Sequence, residues 1–118
     1  MDTQKATMTI RKINTDASAI DISGDVSAAA ENILMDAYTQ LSTAGVRIII
    51  LNFQNLAYMN SSGIGLLVTL LIRANRNKQR LLAVCLSDHY RQIFELTRLN
   101  EAIGIYDTEA EAVNAVMV

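Results

Sequence analysis

The stretch Val46-Arg-Ile-Ile-Ile-Leu-Asn-Phe-Gln-Asn-Leu-Ala-Tyr-Met-Asn-Ser-Ser-Gly-Ile-Gly65 passes from an apolar run to a capped helix start, and the rest of the chain can be placed around it. Val46 to Leu51 is apolar and rich in β-branched side chains apart from Arg47, which predicts a central strand covered on both faces. Asn52 to Asn60 is polar to mixed and is read as a connection. Asn60 or Ser61 then caps a helix running to about Lys78, because a short polar side chain there satisfies a free N–H of the first turn.

Upstream, Thr7 to Ile13 and Ala19 to Ile22 are β-rich and flank the turn-forming Asn14, Thr15 and Asp16, so they predict a hairpin. Ser23-Gly-Asp-Val-Ser27 is read as a loop. Ala30, Ile33, Leu34, Ala37 and Leu41 recur at helical spacing until Gly45. Downstream, Leu81 to Leu86 predicts a strand, and Ser87 or Asp88 caps a helix with Tyr90, Ile93, Phe94 and Thr97 on one face. A short strand near Ile105 and Tyr106 and a helix from Thr108 close the chain. Strands alternating with helices give an α/β fold of four to five strands, read as one domain over residues 1–118.

Bulk properties narrow the function. With 51% hydrophobic and 19% charged residues, the 118-residue chain is too apolar for intrinsic disorder. A net charge of −2 and a pI near 5.2 argue against coating nucleic acid. Arg73, Arg76, Lys78 and Arg80 form a basic run, and Glu101, Asp107, Glu109 and Glu111 make the chain end acidic; both read as solvated faces. The first ten residues lack a signal-peptide pattern, and Ile64 to Ile72 is far too short to cross a bilayer, so a cytoplasmic protein without membrane insertion is expected.

Little in the sequence points to catalysis. Cys85 and His89 stand alone of their kinds, leave no set of metal ligands and are read as structural. The chain lacks G-x-S-x-G and a P-loop, and Gly63-Ile-Gly65 is too sparse for a dinucleotide fingerprint. Leu51-Asn-Phe53 offers no carboxylate where a receiver-type phosphoacceptor needs one, and Asp21 with Asp25 lacks a substrate pocket. No catalytic residue, metal or cofactor is expected.

The serine turn is the informative segment. Unpaired N–H groups and a partial positive charge at a helix start favour an anion, so a hydroxyl there suits phosphorylation. Read on the residues alone, Asn60, Ser61 and Ser62 serve equally as caps, with the glycines allowing close packing. On a helical wheel Ile64, Leu67, Val68, Leu71 and Ala74 share one broad face, taken as the core side. Leu66 and Leu70 then point outward with Ser62, Thr69 and Arg73, predicting an exposed apolar strip for a partner or a homodimer seam, unless a loop or the first strand covers it.

These features carry a family resemblance. Ile48-Ile-Ile-Leu-Asn-Phe53, Met59-Asn-Ser-Ser-Gly-Ile-Gly65, Phe94-Glu-Leu-Thr-Arg-Leu99 and Ile105-Tyr-Asp-Thr-Glu-Ala-Glu-Ala-Val113, in that order, resemble a STAS domain of the anti-sigma factor antagonist family. The resemblance implies a mixed sheet with helices mainly on one face, and a non-enzymatic bacterial switch in transcription control. It implies binding to an anti-sigma factor that is also a serine kinase, release on phosphorylation of Ser62, and reversal by a PP2C-type phosphatase. Asp25, Asn60, Ser61, Gly63, Ile64, Leu66 and Leu70 are the expected partner-binding residues, with no direct nucleic-acid contact. A transporter accessory subunit and a scaffold of a signalling assembly are the alternatives. Asn60 and Asn52 stand where the family pattern has Asp, and Arg98 where it often has Gly, which predicts a different turn after that helix.

Overall fold

The computed structural model describes residues 5–116 and pairs five strands into one mixed sheet: β1 (Thr7–Lys12), β2 (Ala17–Val26), β3 (Ile48–Met59), β4 (Arg80–Val84) and β5 (Gly104–Tyr106). Spatial order follows chain order; β1 runs antiparallel to β2, and every later pair is parallel. The helices α1 (Glu31–Thr43), α2 (Ser61–Arg76), α3 (Asp88–Leu96) and α4 (Glu109–Val116) alternate with the strands, as the sequence predicts. Residues 1–4 and 117–118 of the single-domain assignment lie outside the described residues.

The two faces of the sheet bury different side chains because strand residues alternate. Ile20, Ile22, Ile49, Leu51, Phe53 and Ala83 meet α1, α2 and α3 in the larger core. Ala17, Ala19, Ile48, Ile50, Leu82 and Val84 face α4 through Ala112, Val113 and Val116. Burial on both faces explains the unbroken apolar run at the start of β3. The hairpin forms as expected, with Asn14 Oδ1 accepting from the N–H groups of Asp16 and Ala17 at 2.9 Å.

Three boundaries differ from the sequence reading. The Ser23–Ser27 loop and the Asn52–Asn60 connection are instead continuations of β2 and β3, paired through Ser23 with Asn55, Asp25 with Tyr58 and Val26 with Met59. Register shifts after Asp21 and Gly24 put the extra residues in β3 and break its period-two pattern, while in β2 the turn-forming Ser23, Gly24 (φ 82°) and Asp25 mask a strand that still alternates. Exposure of Gln54, Asn55, Ala57 and Tyr58 removes the apolar signal as well. Cys85 lies just past β4 at φ 61° rather than inside it.

The turn after α3 also departs from expectation. Arg98 adopts φ 62° and ψ 17°, the left-handed conformation a glycine would take, so the turn is of glycine type with an arginine occupying it. Arg98→Gly is therefore expected to raise stability by about 0.5–1 kcal/mol in urea unfolding, by removing the Cβ clash. Unchanged or lowered stability would show that Arg98 is unstrained there.

Candidate functional site

The ends of β2 and β3 deliver the serine turn to one pole of the molecule. Asp25 sits opposite Tyr58 and Val26 opposite Met59, and the Asn60 N–H donates to the Val26 carbonyl at 3.2 Å. Asn60 is extended (φ −89°, ψ −177°) and its Oδ1 accepts from the Gly63 N–H at 2.9 Å, so Asn60 is the cap of α2. Ser61 and Ser62 follow as exposed first-turn residues. Below them the Met59 N–H donates to the hydroxyl of buried Tyr90 at 2.8 Å, tying the turn to α3.

Gly63 permits this approach. A Cβ there would lie 2.4 Å from the Val26 carbonyl oxygen and 2.7 Å from Met59 Cγ. The helix start is thus pressed against β2, and Asp25, Asn60, Ser61, Ser62, Gly63 and Ile64 gather around a single turn. Ser62 lies where a phosphate would meet the N-terminal dipole of α2 favourably, so modification is compatible with the helix.

Two expected partner-binding residues are corrected. Leu66 and Leu70 are buried, at 8% and 0% exposure, and face the sheet with Gly63, Leu67 and Ala74. The wheel is misplaced because α2 is apolar around most of its circumference, so hydropathy alone does not choose its buried side; the close approach of Gly63 to Val26 marks that side. The outward apolar residues are Val68 (39% exposed) and Ile72 (48%), in line with half-buried Ile64 at four-residue spacing. Tyr58, 56% exposed near the end of β3, is a further exposed apolar side chain close in sequence to the serine turn. The Ile64, Val68 and Ile72 spacing was present in the sequence; the missing signal was which side of α2 packs closest.

Elsewhere the polar residues brace the fold. Arg11 donates to both Asp21 oxygens at 2.9 Å and to Glu109 at 2.6 and 3.1 Å, while Asn52 donates to Asp21 at 3.0 Å, linking β1, β2, β3 and α4. The Arg11 guanidinium holds the Asp21 carboxyl below the usual carboxylate range, against partial burial. Asp21 is thus committed to this network and does not pair with Asp25. Burial pushes the Cys85 thiol up, as does the charge of Glu109, which disfavours the thiolate a nucleophile needs. Exposed His89 lies edge-on to Tyr90. No group of three or more His, Cys, Asp or Glu is placed to hold a metal among the described residues. The parallel strands β2 to β5 follow one another in chain order without a reversal. No helix among the described residues is long and apolar enough to cross a membrane.

Comparison with known proteins agrees with this architecture. The STAS domain family profile matches residues 9–112. An anti-sigma-B factor antagonist of Staphylococcus aureus is 30% identical over 93 residues, covering 78% of this chain and 86% of the relative. Among solved structures, the anti-sigma factor antagonist SpoIIAA in its unphosphorylated form aligns with a TM-score of 0.75 at 22% identity, over 94% of this chain and 98% of that one. SpoIIAA of Bacillus in its phosphorylated form gives 0.72 at 24%, over 93% and 99%. An anti-sigma factor antagonist from Mycobacterium paratuberculosis gives 0.82 at 17%, over 97% and 96%.

Proposed function

This chain belongs to the STAS domain family, and from that membership we propose that it is an anti-sigma factor antagonist acting by partner switching. Residues 1–118 act as one domain that binds an anti-sigma factor with serine-kinase activity. Phosphorylation of Ser62 releases that partner, and a PP2C-type phosphatase restores binding. The chain works through its surface and carries out no chemistry of its own.

The observation that carries this reading is the exposed Ser62 one step before Gly63, on a helix start already capped by Asn60. Capping by Asn60 leaves the hydroxyl free to be modified without loss of the helix. Asp25 and Tyr58 pair at the strand ends that lead into this turn, and Val68 and Ile72 are exposed apolar residues further along the same helix, so polar and apolar side chains are both available to a partner. A partner fitted over this turn would bury a dianion of about −1.5 to −2 charge once Ser62 is phosphorylated, which is costly without a cationic counterpart. Release then follows from exclusion at the interface, and the fold need not change.

Affinity capture from lysate of the source organism tests this with Ser62→Ala and Ser62→Asp baits and mass spectrometry. The alanine bait is expected to retain a kinase-like ATPase that the aspartate bait loses by about tenfold or more. Retention of one transporter ATPase by both baits, or of no kinase by either, would favour an accessory-subunit or scaffold role.

A further inference from the structure

The pole opposite the serines carries a second cluster with its own construction. The link from α2 to β4 places Lys78 and Arg80 beside Arg47, which precedes β3, and Arg76 ends the helix that leads into this link. Arg47 Nη2 donates to the Lys78 carbonyl at 3.5 Å, and the Arg80 N–H donates to the Arg47 carbonyl at 2.8 Å. All four side chains are exposed. The ion pairs among the described residues involve Arg11, Arg91 and Arg98 and leave these four cations uncompensated. The backbone carbonyl of exposed Asp16 accepts from the Arg47 N–H at 2.9 Å, and among the described residues no ion pair forms between Asp16 and these cations.

This cluster is more than a solvated helix end. A helix dipole accounts for Arg76 in the last turn, but not for Arg47, Lys78 or Arg80. Lys78 holds φ 57°, the left-handed conformation for which glycine is the ordinary choice. Next to it Gln79 is buried at 7% exposure, accepting from the Tyr38 hydroxyl at 2.8 Å and donating to the Val46 carbonyl at 2.8 Å. Asn77 donates to the same Tyr38 hydroxyl at 2.6 Å. A satisfied buried polar network thus fixes the link, with a strained lysine held outward on it.

We infer that Arg47, Arg76, Lys78 and Arg80 form a docking pole for an acidic segment of a partner protein, separate from the serine face. Charge complementarity sets the chemistry: four unpaired cations stand together on a chain of net charge −2. Four cations are few for a nucleic-acid site, and the exposed tyrosine available for base stacking, Tyr58, lies at the opposite pole. The sixteen residues of α2 put about 24 Å between the two poles, beyond the Debye length of about 8 Å at physiological salt. Modification at the serine turn therefore leaves this pole's attraction intact.

The test titrates the full chain with a polyglutamate peptide, following amide NMR shifts and fluorescence anisotropy, beside a single-stranded oligodeoxynucleotide and phosphatidylserine vesicles. Shifts are expected at residues 47 and 76–80, with binding that weakens steeply between about 50 and about 200 mM salt. The Lys78→Gly, Arg80→Gln double variant is expected to bind about tenfold more weakly. Glycine suits the left-handed backbone, so a folding failure is not built into that variant, and its amide spectrum verifies the fold. Shifts located elsewhere, undiminished binding by the double variant, or tighter binding of the oligonucleotide or vesicles would overturn the assignment.

Discussion

Leu70→Asp is expected to prevent folding, whereas Ile72→Asp, two residues away on the same helix, is expected to leave the fold intact and weaken partner binding. Leu70 is fully buried between α2 and the sheet, and Ile72 is about half exposed. A carboxylate at position 70 would lose both the apolar contacts of leucine and the hydration of its own charge. Loss of a buried leucine alone costs about 2–5 kcal/mol, and an unpaired buried carboxylate adds several more. The sum reaches the whole stability of an ordinary small domain, about 5–15 kcal/mol. At Ile72 the carboxylate stays in water, so stability should change by less than about 1 kcal/mol. Circular dichroism and urea unfolding separate the two variants. A folded Leu70→Asp protein beside an unfolded Ile72→Asp would mean that α2 is rotated and that Leu66 and Leu70 are the outward strip after all. Sizing Ile72→Asp against the wild type also tests a homodimer seam on this face, since such a seam would lose its dimer peak.

That rotation shows where sequence and structure part. The α/β order, the β1–β2 hairpin and the central start of β3 follow from periodicity, because burial of one or both faces writes itself into the spacing of Ile and Leu. Serine and asparagine before Gly63 announce the helix start for the equally local reason that backbone N–H groups need acceptors. The side of α2 that meets the sheet is less legible, since leucines, isoleucine and valine lie around most of the helix and hydropathy cannot choose among them, while the contact that decides it is the bare backbone of Gly63 against Val26. The end of β2 is hidden by its turn-forming residues, and that of β3 by the register shifts and by side chains that face solvent. Arg98 and Lys78 in left-handed conformations are illegible for another reason: neither residue type favours that conformation, so nothing local in the sequence announces it.

Gly63 and Gly65 separate steric need from mere tolerance. They lie two positions apart in the first turns of α2, yet alanine should act oppositely at each. At Gly65 a Cβ would meet nothing within 4 Å, so Gly65→Ala should gain about 0.5–1 kcal/mol from helix propensity alone. At Gly63 the same methyl would stand 2.4 Å from a backbone oxygen of β2 and 2.7 Å from buried Met59. The propensity gain remains, but Val26 is fixed by its pairing with Met59 and cannot retreat without disturbing the β2–β3 ladder. Overpacking of this kind costs about 1–3 kcal/mol, so Gly63→Ala should be destabilised by about 1–2 kcal/mol net. The strain would relax most readily by lifting the first turn of α2, breaking the Asn60 N–H bond to Val26 and moving Ser62 relative to Asp25. Partner capture should then fall while most amide resonances outside the turn stay in place. Equal stability of the two alanine variants would show that the helix does not press on β2, and the close seating of the serine turn would lose its physical basis.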